Sequence, residues 1–248
     1  MSIDQGAVTL PVLISILLAL TIVQSLFGVG LLLFGTPTLL LLGMPFTVVL
    51  AYLLPCSIMV SSLQVADSGG LSLEPIRSQF LRITAPAVVV ATAVAVTFGS
   101  VHQIRSGIGV MLLVTALIRV GRLQAAFANF VARHSRPLMF GLGVVHGVSN
   151  LGGGVLAAIV GSSFSDKAEI RRHIAFAYGV MASLQLVVVL ATARPRLNLT
   201  WWVALPLISA ATYLLLGRHA FARTRQRHYQ RGLTGLILGL GLLLVSTQ

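Results

Sequence analysis

Long, uninterrupted runs of apolar residues dominate the chain, and short polar segments separate them. The clearest runs cover residues 10–27, 46–66, 83–101, 104–120, 174–193, 200–217 and 232–246. Each is close to the length of about 20 residues that a helix needs to cross the hydrocarbon core of a bilayer. The runs are continuous and do not alternate with polar residues, which argues against a transmembrane β-barrel. Because a backbone in hydrocarbon must satisfy its own hydrogen bonds, the pattern predicts an all-α, polytopic integral membrane protein.

Two apolar regions, residues 10–43 and 138–164, contain glycine-rich breaks. The first break is Gly28-Val29-Gly30, with Gly35 and Pro37 close behind, and the second covers residues 147–154. Glycine tolerates the backbone angles of a turn, and consecutive glycines are poor helix formers. Region 138–164 is also too short for two complete crossings at about 1.5 Å per residue. We expect each region to be a hairpin that turns inside the membrane, the first with a longer leading leg that reaches further.

The basic residues support this arrangement. The net charge is +12, from 17 Lys and Arg against five acids. If both broken regions cross once, the basic residues of the connecting segments divide 8 to 9 between the two sides; if both are hairpins, they divide 14 to 3. Cytoplasmic loops carry an excess of Lys and Arg. The hairpin topology therefore places segments 67–82, 119–136, 165–173 and 218–231 in the cytoplasm and both termini in the periplasm. A basic chain can also bind nucleic acid, but this distribution is better explained by membrane topology, and we expect no nucleic-acid partner.

An internal repeat relates the two parts of the chain. Residues 61–65 (SSLQV) match 182–186 (ASLQL) at an offset of 121, and Pro86 matches Pro206 at an offset of 120. Residues 105–108 (RSGI) and 230–233 (QRGL) correspond at the start of each last apolar run. We predict a first transmembrane repeat over residues 1–121, a second over 137–248, and a basic cytoplasmic linker at 122–136. Each repeat would hold one hairpin and three crossings, so the two would have inverted orientations, with a substrate site between them near the midplane.

The second copy of this plan, from the break at 147–154 through Gln185, resembles the sulfite exporter (TauE/SafE) family of membrane permeases. That family's pattern is a glycine-rich break, a short apolar helix, a loop and a helix with small polar residues, repeated twice. The first copy, residues 27–37 (FGVGLLLFGTP), lacks the consecutive glycines but has a break and a Thr-Pro pair. The resemblance covers about residues 10–246. It implies transport of a small anion, often a sulfur-containing one such as sulfite or an organosulfonate and commonly as export, in the bacterial inner membrane.

Polar residues in and near the breaks are the candidate anion contacts, because the free N–H groups at helix N-termini attract anions. The chosen residues are Gly28, Gly30, Thr36, Ser61, Gln64, His146, Ser149, Asn150, Gly152, Gly153, Gly154 and Gln185. Each has a structural alternative. The glutamines can join helices by hydrogen bonds and Ser61 can serve close packing. The breaks can be purely structural turns, and His146 can be a neutral residue bonded to the backbone.

Other chemistries find little support. All five acids lie at the N-terminus or in predicted loops, which argues against a proton relay through buried carboxylates. The chain has no phosphate-binding loop, no ligand spacing for a metal and no context for a dinucleotide fingerprint. We therefore expect no cofactor, no bound metal and no enzymatic activity, with the lipid bilayer, a small anion and a possible homo-oligomer as partners. The alternatives are a membrane enzyme acting on a lipid-linked substrate and a non-transporting scaffold.

Cys56 is the only cysteine, so no intrachain disulfide forms. Residues 1–9 lack the basic segment of a signal peptide, so we expect the first run to remain in the membrane.

Overall fold

A computed structural model of the protein describes residues 8–68, 76–98, 129–131, 133–193, 195, 197–225, 232 and 235. The main elements in these ranges are helices: α1 (Leu10–Phe27), α2 (Leu31–Leu41), α3 (Phe46–Ala66), α4 (Ile76–Gln79), α5 (Ala85–Phe98), α6 (Ser135–Ser149), α7 (Gly152–Ser163), α8 (Lys167–Thr192), α9 (Leu199–Thr212) and α10 (Arg218–Arg223). A π-helical turn at Phe80–Thr84 joins α4 to α5, and a second at Tyr213–Gly217 joins α9 to α10.

The long helices match the apolar runs. In the described ranges, five helical segments are long and apolar enough to cross a membrane: Leu10–Phe27, Phe46–Ala66, Phe80–Phe98, Lys167–Thr192 and Leu199–Arg223. Helices α2 and α7 are apolar but shorter. This confirms the prediction of an all-α, polytopic membrane protein. The predicted span at 104–120, nearly all of the span at 232–246 and most of the linker at 122–136 lie outside the described residues.

The first predicted hairpin is present. Helix α1 ends at Phe27, and Gly28 follows with φ +77°, in the left-handed region that glycine adopts readily. A Cβ on Gly35 would lie 3.1 Å from Leu20 Cδ1, although in a straight helix these residues would be about 22 Å apart. Helix α2 therefore runs back beside α1, and it continues through Gly35 and Pro37 without a second break.

The second hairpin is also present, but its turn is made differently from the prediction. The helix is interrupted only at Asn150 and Leu151, and Asn150 takes the left-handed conformation with φ +64°. Asparagine is one of the few residues whose side chain suits this conformation. Gly147 lies inside α6, and the three glycines at 152–154 form the first turn of α7. The expectation that these glycines form the break is therefore wrong; they permit close packing instead.

Interhelical hydrogen bonds fix which helix ends lie together. Tyr213 donates from its hydroxyl to the Asp67 carboxylate at 2.6 Å, and Lys167 donates to the Thr224 carbonyl oxygen at 2.6 Å. The C-terminal end of α3, the start of α8 and the end of α9–α10 thus share one end of the bundle, which we call the basic end. If region 138–164 crossed the membrane once, Asp67 and Tyr213 would lie on opposite sides. The Asp67–Tyr213 contact therefore supports a hairpin at 138–164, and the return of α2 beside α1 supports the first hairpin.

Helix α8 begins earlier than the apolar run predicted. Asp166 accepts hydrogen bonds from the Ala168 and Glu169 N–H groups at 2.8 and 3.1 Å, so it caps the helix before Lys167. Glu169 then lies in the first turn, where a negative charge is favourable. The expectation that 165–173 is a loop is wrong over most of its length. As a result, Arg171 belongs to the helix and is only 6% exposed.

Helices α3 and α8 form the central pair, and the other helices pack around them in a matched pattern. Helix α9 packs on α3 and α1, while α5 packs on α8 and α6. Likewise, α2 packs on α3, and α7 packs on α8. Two inverted repeats would produce this pattern, in which α5 of the first repeat packs on helices of the second and α9 of the second packs on helices of the first. The inversion itself and the repeat boundaries stay predictions.

Candidate functional site

The two helix breaks are built in the same way. The Gln24 carbonyl oxygen accepts hydrogen bonds from the Gly28 N–H and from the Gln64 side-chain amide, both at 2.8 Å. In the second half, the His146 carbonyl oxygen accepts from the Asn150 N–H at 2.7 Å and from the Gln185 amide at 3.1 Å. The repeated glutamines thus add a second hydrogen bond to a backbone oxygen at the C-terminal end of each interrupted helix.

These hydrogen bonds use most of the side-chain N–H donors of the two glutamines. Gln64 Nε2 also donates to the Ser25 carbonyl oxygen at 3.3 Å, so both of its N–H groups are engaged with the backbone. Gln185 has one such bond to His146. In this conformation both glutamines therefore join neighbouring helices by hydrogen bonds, which is the structural alternative to an anion contact. A contact between either amide and a substrate stays a prediction.

In the first half, the side chain of Gln24 fills the space at the break. Its Nε2 atom donates to Ser57 Oγ and Ser61 Oγ, each at 3.2 Å. Its Oε1 atom accepts from the Leu31 N–H at 3.1 Å, at the start of α2. A Cβ on Gly30 would lie 2.5 Å from the Gln24 backbone nitrogen, so this close approach requires glycine. Sequence reasoning missed Gln24, although it lies four residues before the break, as His146 does in the second half.

In the second half, a histidine and a tyrosine take the corresponding positions. The His146 and Tyr178 rings meet edge-to-face with centroids 5.5 Å apart, and both side chains are fully buried. A Cβ on Gly152 would lie 2.5 Å from His146 Cβ, and one on Gly153 would overlap the Tyr178 ring. The first turn of α7 therefore packs directly on these two side chains. Sequence reasoning also missed Tyr178, which follows Ser57 by the repeat offset of 121.

One hydrogen bond joins the two hairpins. Asn150 donates from Nδ2 to Thr36 Oγ1 at 2.8 Å, across the contact between α2 and the second break. Ser149 bonds locally, donating to the Val145 carbonyl oxygen at 2.6 Å. The structure thus brings Thr36 and Asn150 together, and their contact with an anion stays a prediction.

The breaks themselves lie at different depths along α8. A Cβ on Gly28 would lie 3.0 Å from Ile174 Cγ2, whereas the His146 carbonyl oxygen is bonded to Gln185. Ile174 and Gln185 are about 16 Å apart along a helix. The two breaks therefore lie at different levels along α8, and α2 and α7 pack together between them.

Arg171 brings a buried positive charge to the first break. Its Nη1 atom donates to the Ser25 carbonyl oxygen at 3.3 Å, and its guanidinium lies 3.5 Å from the centroid of the Phe221 ring. A cation is favourable at this C-terminal end of α1. It also raises the electrostatic potential where the basic end meets the broken helix, which favours the approach of an anion.

A cleft of about 420 Å³ lies between the central helices α3 and α8. Ser61, Ser62, Gly179 and Ser183 contribute its small and polar lining. Ser61 connects the cleft to the first break because its hydroxyl accepts the hydrogen bond from Gln24. Among the described residues, no group of three or more His, Cys, Asp or Glu side chains is arranged to hold a metal ion.

Comparison with known proteins gives one clear similarity. A family model described as "Sulfite exporter TauE/SafE" matches residues 12–244, nearly the whole chain. No curated protein and no solved structure gives a significant match.

Proposed function

Because this chain belongs to the sulfite exporter TauE/SafE family, whose members are membrane transporters of sulfite-type anions, we propose that it exports a small sulfur-containing anion such as sulfite or an organosulfonate. It acts as a secondary transporter in the bacterial inner membrane, with both termini in the periplasm. Family membership also speaks against the alternative of a membrane enzyme acting on a lipid-linked substrate.

The observation that carries this proposal is the pair of interrupted helices inside an otherwise apolar bundle. Non-helical backbone at membrane depth is tolerated only where protein surrounds it or where it lines a water-filled cavity. At each break the end of one helix accepts a hydrogen bond from the same element of the repeat, a glutamine on α3 or α8. We propose that the residues predicted from the sequence, from Gly28 to Gln185, surround the path that the anion takes between these breaks.

Alternating access explains how the path opens to one side at a time. At the basic end, the bond between Tyr213 and Asp67 and the bonds of Lys167 to α10 hold the helices together. At the opposite end, Trp202 donates to the Ala51 carbonyl oxygen at 3.0 Å. We propose that movement of the α3–α8 pair relative to the hairpins breaks one of these sets of contacts while keeping the other. The coupling then comes from an ion gradient or the anion gradient itself.

Flux measurements on the purified full chain test the proposal. Proteoliposomes loaded with labelled sulfite, thiosulfate or an organosulfonate should release at least one of them faster than protein-free liposomes. Asn150→Ala should reduce this flux because it removes the bond that joins the hairpins. Equal release from proteoliposomes and protein-free liposomes for all three anions would refute the proposed function.

A further inference from the structure

The two breaks share a backbone geometry but differ in what lies at the start of the returning helix. At α2, the Gln24 side chain takes that place, because its Oε1 atom accepts the Leu31 N–H that a bound anion would otherwise receive. Its Nε2 atom is bonded to Ser57 and Ser61. The Leu31 N–H and the Gln24 side-chain amide at this helix start therefore already have partners within the protein.

At α7, the equivalent place is held by side chains that keep unused polar atoms. Both ring nitrogens of His146 and the Tyr178 hydroxyl have no hydrogen-bond partner of good geometry in the part of the chain that the structure describes. The Gln185 side chain lies beside the His146 ring, and the Leu33 N–H faces the Tyr178 hydroxyl. Both side chains are 0% exposed. A buried donor without a partner costs free energy, which a ligand that accepts from it would recover.

Geometry directs these donors to the first turn of α7. A Cβ on Gly152 would lie 3.0 Å from His146 Nδ1, and one on Gly153 would overlap the Tyr178 hydroxyl. The Gly154 N–H donates to the Leu151 carbonyl oxygen at 3.2 Å, so the Gly152 and Gly153 N–H groups are the donors that this first turn can offer, since the first N–H groups of a helix have no partners within it. A phenol, an imidazole N–H and backbone N–H groups together make a set of donors that suits an anion with several oxygen atoms.

We propose that the transported anion binds at the first turn of α7, where Tyr178 and His146 donate hydrogen bonds to its oxygen atoms, and that Gln24 closes the matching position on α2. This inference rests on the proposed function and makes its site asymmetric. In this conformation the first turn of α7 packs directly on these buried side chains, so the anion enters only as α7 moves away from them, and a compact oxyanion requires a smaller movement than one with an organic tail. Tyr178 is thus a substrate-contacting residue that favours compact anions.

Removal of a single hydroxyl tests the role of Tyr178. The dissociation constants of sulfite, thiosulfate and a two-carbon sulfonate are measured by calorimetry on the full chain in lipid nanodiscs. Tyr178→Phe should weaken sulfite binding about 10-fold, the usual effect of losing one hydrogen bond to a charged group. The control is Tyr52→Phe. It removes a buried hydroxyl near the N-terminal end of α3, which accepts a hydrogen bond from the Asn198 N–H, and should leave the dissociation constant of sulfite within about 2-fold of the wild-type value.

A second variant displaces the hydroxyl without removing it. Gly153→Ala places a methyl group against the Tyr178 ring and should weaken sulfite binding by a similar factor. Gly161→Ala, in the same helix, has no atom within 4 Å of the added Cβ and should bind sulfite as the wild type does. This pair perturbs the same hydroxyl from the opposite side of the contact.

The outcomes separate the inference from the proposed function. If the wild type binds sulfite and both Tyr178→Phe and Gly153→Ala bind it equally well, the α7 site is wrong while transport of the anion stands. If the two-carbon sulfonate binds more tightly than sulfite, selection for a compact anion is wrong. If the wild type binds none of the three anions, the site and the proposed function fail together.

Discussion

Individual residues at the two breaks are specified by how closely the backbone of one segment approaches another. Gly30 lies against the backbone of Gln24, and Gly28 adopts a left-handed conformation beside Ile174. In the second half the left-handed position is taken by Asn150, and glycines allow contact with His146 and Tyr178. The same fold is therefore obtained with different residues at equivalent points.

Gly30→Ala should strongly destabilise the protein. The added Cβ would lie 2.5 Å from a backbone nitrogen, which cannot move without shifting α1, and we expect a loss of about 2 kcal/mol or more. Gly141→Ala is the matched control, since nothing lies within 4 Å of its Cβ. The buried thiol of Cys56 reports unfolding through a thiol-reactive dye during a thermal ramp. Equal melting temperatures for the two variants would contradict the close approach at Gly30.

Asn150 makes two separable contributions, one from its backbone conformation and one from its side chain. Asn150→Gly keeps the left-handed conformation and loses the hydrogen bond to Thr36, whereas Asn150→Ala loses both. We expect the melting temperature to fall in the order wild type, Asn150→Gly, Asn150→Ala, with about 1 kcal/mol between the two variants. If the alanine variant is as stable as the glycine variant, the strain at this turn is not significant.

At the scale of helices, the repeated glutamines hold each hairpin to a central helix. Gln64 bonds two carbonyl oxygens near the end of α1, and Gln185 bonds one near the end of α6. The symmetric spacing of these residues was evident in the sequence, but their role was not. A sequence shows that two polar side chains are equivalent; it does not show whether their partners are ligand atoms or backbone oxygens.

Replacement of either glutamine should lower the free energy of unfolding, because both side chains hydrogen-bond to the backbone. Gln64→Leu removes two buried hydrogen bonds and should cost about 1–3 kcal/mol, and Gln185→Leu should cost less because it removes one. Gln79→Leu, at a half-buried position on α4, serves as the control. Thermal unfolding in detergent measures the order. A larger loss for Gln185→Leu than for Gln64→Leu would contradict the observed bonding.

The helices themselves were largely predictable, because apolar runs of membrane length have few other structures available. The start of α8 was not, since its first turn carries Lys167, Glu169 and Arg171, which look like a polar loop. The cap at Asp166 makes this segment helical, and packing on Phe221 buries Arg171. Likewise, the apolar surroundings of Tyr178 gave no sign that its hydroxyl lies at a helix break.

At the scale of the whole molecule, the hairpins decide which connections share a side. The bond between Asp67 and Tyr213 and the bonds of Lys167 to α10 bring three of the basic connections, 67–82, 165–173 and 218–231, to one end of the bundle. This agrees with the count of positive charges that favoured hairpins over single crossings. Two independent kinds of information, charge and packing, thus lead to the same topology.

Labelling from one side tests that topology. Single cysteines at positions 43, 68, 165 and 198 are introduced into a Cys56→Ser background and exposed to a membrane-impermeant thiol reagent in intact cells. Gly43→Cys and Asn198→Cys should react, while Ser68→Cys and Ser165→Cys should be protected until the membrane is permeabilised. Opposite labelling of Ser68→Cys and Ser165→Cys would contradict the hairpins.

The most direct test of anion passage through the broken helices is the position of a bound anion. Selenite resembles sulfite and can be located by anomalous scattering in crystals of the full chain. Our account predicts an anomalous peak at the first turn of α7, within hydrogen-bonding distance of Tyr178 and His146. A peak found only among the surface arginines of the basic end, with none inside the bundle, would contradict it.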